Sequence, residues 1–301
     1  MIDFGLSAMY GTLSPYRVGV DLEYLRAHPQ NVPRLLEHQR IRTTPVPGGD
    51  ICTAERLTLD DGTDVFAKSL AGAPPGFFAA EAAGLRWLAG SAVPVPEVVA
   101  VTDELLLLEW VPPGRPSAAA AEAFGRGLAA LHRSGADRFG APWPGFIGSL
   151  PLDNTPAAQW TEFYAERRVR PYVRAAVERG HLSASDAGAI ERFVARLDVP
   201  AEPPARLHGD LWSGNVHWGA DGRAWLVDPA AHGGHRETDL AMLTLFGAPH
   251  LERVLRAYDE EYPLADGWRD RVAVHQLHPL LVHAVLFGGG YGARAAAIAG
   301  R

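Results

Sequence analysis

The sequence predicts an α+β chain in two lobes, a small, mainly β N-terminal lobe and a larger, mainly helical C-terminal lobe. Three observations lead there. β-Prone runs crowd into the first third of the chain. Pro112-Pro113-Gly114 then makes the only strong composition break near its middle. Beyond that break, apolar residues recur at three- and four-residue spacing, the period of buried helix faces. Residues 31–111 form the first lobe and residues 112–301 the second. Residues 1–30 are assigned to an N-terminal extension, the first twenty of which show no clear periodicity. With 301 residues, 47% of them hydrophobic, the chain is long enough to bury a core in each lobe.

The elements follow in order. Residues 41–46 and 51–59 are β-prone and flank Pro47-Gly48-Gly49-Asp50. That pattern fits either an ordinary hairpin or a Gly-rich turn whose backbone amides face a phosphate. Asp60-Asp61-Gly62-Thr63 is a strong turn, and Val65-Phe66-Ala67-Lys68 reads as the next strand. Residues 77–88 have a helical pattern that carries Glu81. Residues 98–101 and 104–111 form a last hairpin around Thr102-Asp103. In the second lobe, helices are expected over 118–133, 157–179, 184–197, 239–246, 250–261 and 268–287. Gly180 ends the second of these, and Ser183 caps the third.

The chemistry concentrates in residues 207–228. His208, Asp210 and Asn215 stand at H-x-D-x-x-x-x-N spacing, that of a kinase catalytic loop. Thirteen residues later, Asp228 ends the short apolar run 224–227. Phosphoryl transfer needs a carboxylate to accept the hydroxyl proton, here Asp210. It also needs hard oxygen ligands for Mg²⁺, here the Asn215 amide and the Asp228 carboxylate. Upstream, Lys68 stands where a strand lysine would hold nucleotide phosphates, and Glu81 is its candidate ion-pair partner. Lys68 is the only lysine in the chain. Arginine has taken every other basic position, which fits a site where a compact ammonium is required. By position in the series, Glu109, Trp110 and Val111 form the hinge that meets adenine.

The order Gly-rich turn, lysine, helix glutamate, hinge, H-x-D, Asn and Asp resembles the aminoglycoside-phosphotransferase-like kinases. Within that group the chain is more similar to the fructosamine kinase (ketosamine kinase) family. The segments that carry this are Pro47-Gly48-Gly49-Asp50-Ile51-Cys52, Ala129 to Arg133, the stretch Leu207-His208-Gly209-Asp210-Leu211-Trp212-Ser213-Gly214-Asn215, Gly234 to Met242, and Leu286 to Tyr291. One departure is Pro47, where the family usually has a third glycine; it removes only its own N–H. The resemblance implies a two-lobed protein-kinase-like fold, ATP and Mg²⁺ as cofactors, and cofactor contacts at Gly48, Gly49, Asp50, Lys68 and Glu81. The implied acceptor is a hydroxyl of a fructosamine, ribulosamine or erythrulosamine, with a role in removing glycation damage. An aminoglycoside or another small alcohol is the alternative acceptor. Trp212, two residues after the base, either faces the sugar or packs beneath the loop. His235, Arg236 and Glu237 form a polar run suited to hydroxyl and phosphate contacts. Asp239 opens a helix, and in related kinases a similarly placed aspartate braces the catalytic loop.

Charge and composition set limits. A net charge of −7 with no Lys/Arg run offers no footprint for nucleic acid. No apolar stretch approaches membrane-spanning length and no leader pattern opens the chain, so a cytoplasmic protein is expected. Cys52 is the single cysteine, so any disulfide would join two chains or a small thiol. It is either a small strand residue or a thiol near the phosphates that could form a redox-linked dimer. His232/His235 and His275/His278 lack carboxylate or cysteine partners at metal spacing.

Overall fold

A computed structural model describes residues 19–38, 40–48 and 51–300. The first lobe is a five-stranded antiparallel sheet in the order β1-β2-β3-β5-β4. Its strands are β1 (Arg42–Pro45), β2 (Thr53–Thr58), β3 (Asp64–Ser69), β4 (Val98–Val101) and β5 (Leu105–Glu109). β5 reads Leu-Leu-Leu-Leu because both of its faces are covered. Leu105 and Leu107 turn toward Val65, Ala67 and Leu57, while Leu106 and Leu108 turn toward helix α3 (Phe77–Leu88). α3 buries Phe78, Ala82 and Leu85 on that side.

The segment before β1 departs from the expected extension. Residues 22–27 (α1) and 32–37 (α2) are helical. Val20, Leu25 and Val32 are almost fully buried against the sheet. Asp21 caps α1 through the Tyr24 amide, and the Val20 amide donates to Asp60 on the β2–β3 turn. The described residues 19–30 therefore belong to the first lobe, because their apolar side chains complete its core.

The second lobe is built on α4 (Ala118–Arg133), α9 (Leu251–Glu261), α8 (Glu237–Phe246) and α10 (Trp268–Phe287). α10 is almost wholly buried from His275 to Val285, because α8 and α11 (Tyr291–Ala299) pack on it along with the long helix that starts at Trp160. That helix was expected as one piece over 157–179. It runs instead as α5 (Trp160–Phe163), a wider π stretch over Tyr164–Val169, and α6 (Arg170–Glu178). In the π stretch Arg168 is buried, lies over the Phe163 ring and donates to Asn154 Oδ1 at 2.6 Å. α7 (Ala184–Val194) starts at the Ser183 cap, as expected. Between the helices lie three short pairs. They join β6 (Gly145–Ile147) with β7 (Leu150–Leu152), β8 (Ala205–Leu207) with β11 (His232–Gly234), and β9 (Val216–Trp218) with β10 (Ala224–Leu226). β8–β11 and β9–β10 frame the loop 208–215 and bring Asp228 beside it.

Candidate active site

A cleft of about 940 Å³ separates the two lobes, and Gly48, Lys68, Glu81, Glu109, Trp110, Val111, Asp210, Trp212, Asn215 and Asp228 all line it. Gly49 and Asp50 lie outside the described residues. Among the described residues, the cofactor, catalytic and metal positions read from the sequence thus converge on one space. Three of the four positions read as acceptor contacts do not reach it.

Lys68 Nζ stands 2.8 Å from Glu81 Oε2 and 3.0 Å from Asp228 Oδ1. Burial alone would lower the lysine pKa, but the two carboxylates outweigh it and hold the ammonium charged. Glu81 Oε1 is buried with no partner, an acceptor still open inside the cleft wall. At the hinge, His217 donates from Nε2 to the Val111 carbonyl at 3.0 Å, and the Gly114 amide donates to Trp218 O. These bonds fix the strand leaving the first lobe onto β9.

Asp210 is positioned by its own loop. The Asn215 amide donates from Nδ2 to Asp210 O at 2.8 Å and to Oδ2 at 3.1 Å. That leaves the Asn215 carbonyl oxygen as its free ligand atom. Burial, then the charge of Asp228, push the Asp210 pKa up to about 7, the range of an effective general base near neutral pH. Asp228 adopts φ 53°, a rare conformation for a non-glycine residue. Gly209 (φ +84°) is required: a Cβ there would stand 2.2 Å from Ala230 O. Asp239 holds the loop from beneath. Its Oδ2 accepts from the His208 amide at 2.8 Å and its Oδ1 from the Gly209 amide at 2.9 Å. His132 donates from Nε2 to Oδ2 at 3.1 Å and accepts from the Tyr258 hydroxyl at 2.8 Å. Asp239 is fully buried inside α8, so its role is this brace and not a helix cap.

The residues fit a divalent cation. Asn215 Oδ1 and the Asp228 carboxylate are hard oxygen donors that line the same cleft as Asp210 and the charged Lys68.

Trp212 lines the cleft and is 40% exposed, with its ring folded over Gly214 and edge-on to Phe246. This exposure excludes the reading that packs Trp212 beneath the loop as core. His235, Arg236 and Glu237 are corrected. All three are buried outside the cleft. Arg236 forms a two-pronged pair with Glu202, both bonds 2.8 Å, and lies over Tyr262. Glu237 pairs with Arg271, and His235 packs against Trp160 and His275. His235 and Arg236 precede α8 and Glu237 is its first residue; all three side chains are buried in the lobe, whereas Thr238, Met242 and Phe246, four residues apart on α8, face the cleft. α10 contributes a matching stripe of His278, Val282 and Leu286 beside Pro279, His283 and Phe287. Sequence reasoning missed these; the four-residue spacing was the available signal.

Two further expectations change. The fold brings Glu237 to His235 and His275, their donor atoms within 4.8 Å of one another. Arg271 already engages both Glu237 oxygens, so the group reads as a buried ion-pair cluster. Cys52 is part-buried in the cleft wall, and burial pushes its thiol pKa up. A raised pKa withholds the thiolate that disulfide exchange needs, so a dimer linked through Cys52 finds no support.

A small antiparallel lobe with a lysine–glutamate pair, a hinge, and an H-x-D loop on a helical lobe defines a protein-kinase-like phosphotransferase. A gentamicin-bound aminoglycoside phosphotransferase superposes with a TM-score of 0.60 over 94% of this chain and 97% of its own. At 13% identity that likeness speaks for the fold alone. The model of the fructosamine kinase family matches residues 30–301, and the chain belongs to that family. A Thermobifida fusca crystal structure described as a fructosamine-3-kinase is 50% identical, with a TM-score of 0.82 over 89% of this chain and 96% of that one. A Thermus thermophilus protein named a probable ketoamine kinase is 39% identical over 247 residues, covering 82% of this chain and 88% of its own. Among the described residues, no helix is long and apolar enough to cross a membrane.

Proposed function

We propose that this kinase transfers the γ-phosphoryl group of ATP to a sugar hydroxyl of a ketosamine, in the cytoplasm. The acceptor would be a fructosamine, ribulosamine or erythrulosamine on a small amine or a protein lysine. The observation that carries the reading is the convergence of Asp210, Asn215, Asp228 and the Lys68–Glu81 pair on one cleft in a chain of this family. Asp210 accepts the acceptor's hydroxyl proton as the oxygen attacks phosphorus, and Asn215 fixes the direction of its carboxylate. Lys68 carries a fixed positive charge toward the phosphates, and Glu81 keeps the ammonium in place. Asn215 and Asp228 would hold Mg²⁺, which neutralises the charge of the β- and γ-phosphates when bound. Phosphorylation of the sugar makes the adduct prone to elimination, so the cellular role proposed is removal of glycation adducts.

The alternative acceptor, an aminoglycoside, is a polycation. No Asp or Glu is among the residues that α8 and α10 turn toward the cleft, which counts against it. The test is a panel of ketosamines, aminoglycosides and simple polyols with ATP–Mg²⁺, read by ADP release and by phosphorus NMR of the product. Phosphorylation of ketosamines alone is expected. Turnover confined to aminoglycosides or polyols would reject the reading.

A further inference from the structure

Five large apolar side chains remain exposed among the described residues: Ile51, Val177, Trp212, Phe246 and Phe287. Four of them, all but Val177, line the cleft. Exposed apolar side chains scattered singly need no explanation, but a group concentrated at one site marks a binding surface.

These rings form a connected wall. Trp212 meets Phe246 at 6.2 Å between centroids, Phe246 meets His283 at 5.0 Å, and His283 meets Phe287 at 5.5 Å. His283 donates from Nδ1 to the Pro279 carbonyl at 2.7 Å. Burial, and the nearby Arg294, lower its pKa, so it stands there as a neutral ring. Met242, Val282 and Leu286 add aliphatic surface between the rings. The wall begins two residues from the base Asp210 and leads to Phe287, which is 56% exposed at the end of α10. A sugar hydroxyl held at Asp210 would therefore leave the nitrogen substituent of a ketosamine running along it.

Building on the ketosamine reading above, we propose that this wall is a subsite for the amine-borne group of the acceptor, and that the group it takes is apolar, alkyl or aryl. A cationic lysine-like tail fits it less well. A cation over an exposed ring gains about two- to fivefold in affinity. Each methylene removed from water gains about fourfold, so a chain of several carbons gains more. No carboxylate to pair a distant ammonium is among the residues that these two helices turn toward the cleft.

The test holds the ketose constant and varies the amine through methyl, hexyl, benzyl and 6-aminohexyl, for fructose and again for ribulose, with ATP–Mg²⁺. The hexyl and benzyl adducts should exceed the methyl and aminohexyl adducts in kcat/KM by about tenfold or more, mostly through KM. Phe287→Ala and Phe246→Ala should each shrink the hexyl-to-methyl ratio at least about threefold; Phe287 is exposed enough that its truncation does not threaten folding. Equal kcat/KM across the series, a preference for the aminohexyl adduct, or a ratio unchanged in both variants would overturn the subsite. Turnover of no member of the series would sink the ketosamine reading itself, and the subsite with it.

Discussion

Lys68 and Asp228 meet across the two lobes, with the ammonium on β3 and the carboxylate just beyond β10 only 3.0 Å apart. Glu81 holds the same nitrogen from α3 at 2.8 Å. The only lysine of the chain is thus the point at which both lobes and the nucleotide phosphates would share one charge. Arginine serves everywhere else on this protein, but its planar fork cannot replace a compact ammonium between two carboxylates. Lys68→Arg should lower kcat/KM for ATP by at least about 10²-fold, the scale of losing one preorganised donor. Steady-state ADP release measures it, and an arginine variant within tenfold of wild type would remove this requirement.

Asp210→Asn keeps the side-chain shape but removes the proton acceptor. Turnover should fall by about 10²–10⁴-fold. Binding of ATP–Mg²⁺, followed by calorimetry, should stay within about threefold. Burial and the charge of Asp228 both disfavour the ionised form of Asp210, so the neutral amide should leave Tm no lower than that of wild type. Near-normal turnover would take Asp210 out of the mechanism.

Much of this site was legible in the sequence because its chemistry is local. The spacing of His208, Asp210 and Asn215 sits in one loop, and the lone lysine stands out by residue type. Helices 77–88, 118–133 and 268–287 were readable to the residue. The acceptor side was not legible. That Thr238, Met242 and Phe246 face the cleft, while His235 and Arg236 before α8 and its first residue Glu237 are buried, depends on how α8 and its approach pack in the lobe, α10 included. The helices over 22–37 were hidden because their few apolar anchors, Leu25 and Val32, gain meaning only against the sheet. Short pairs such as β8–β11 are three residues long, below the length at which alternation can be read.

Asn215 and Asp228 differ in charge, and the consequences of removing them should differ in kind. Asp228→Ala deletes both the proposed metal carboxylate and the partner of Lys68, and should abolish Mg²⁺-dependent turnover. Asn215→Ala removes a neutral ligand and frees the Asp210 carboxylate, so activity should fall and then recover in part as Mg²⁺ is raised. An Asn215→Ala enzyme wholly insensitive to added Mg²⁺ would leave Asn215 as an orienting residue only.

Asp239 takes two backbone amides and a histidine while fully buried. In Asp239→Asn one carboxylate oxygen becomes an N–H group facing donors that lose their acceptor. Breaking one partner of a buried network of this kind costs about 3–5 kcal/mol. A fall in Tm together with reduced turnover is expected, because the loop carrying Asp210 loses its anchor. A variant that keeps both would show that β8–β11 pairing alone suffices to hold the loop.

Histidines that fold neutral should contribute less stability to this protein as pH falls below neutrality. His232 and His235 are 4% and 1% exposed. Burial, reinforced by the charges of Arg168 and His275 respectively, lowers their pKa values to about 3 and about 4. Glu202 and Glu237 face His235 and oppose the shift without overcoming it. In the unfolded chain both rings protonate near pH 6.5, while in the folded chain they stay neutral to much lower pH. At these two rings the unfolded state therefore takes up protons first, and the stability they contribute drops as pH falls below about 6.5, until the folded values are reached. Each histidine should contribute about 1.4 kcal/mol per pH unit across that window. Glu237, whose carboxylate burial would raise but His275 and Arg271 hold at about 2, adds a further loss only below its unfolded value near 4.5. Asp210 and Glu81, with folded pKa values raised to about 7, take up protons in the folded state first and oppose this loss. The histidine contribution is therefore read from the ring resonances, which should stay those of neutral imidazole in the folded protein from about pH 7.5 to about pH 5.0. Imidazole resonances of His232 and His235 titrating near 6.5 in the folded protein would contradict this account.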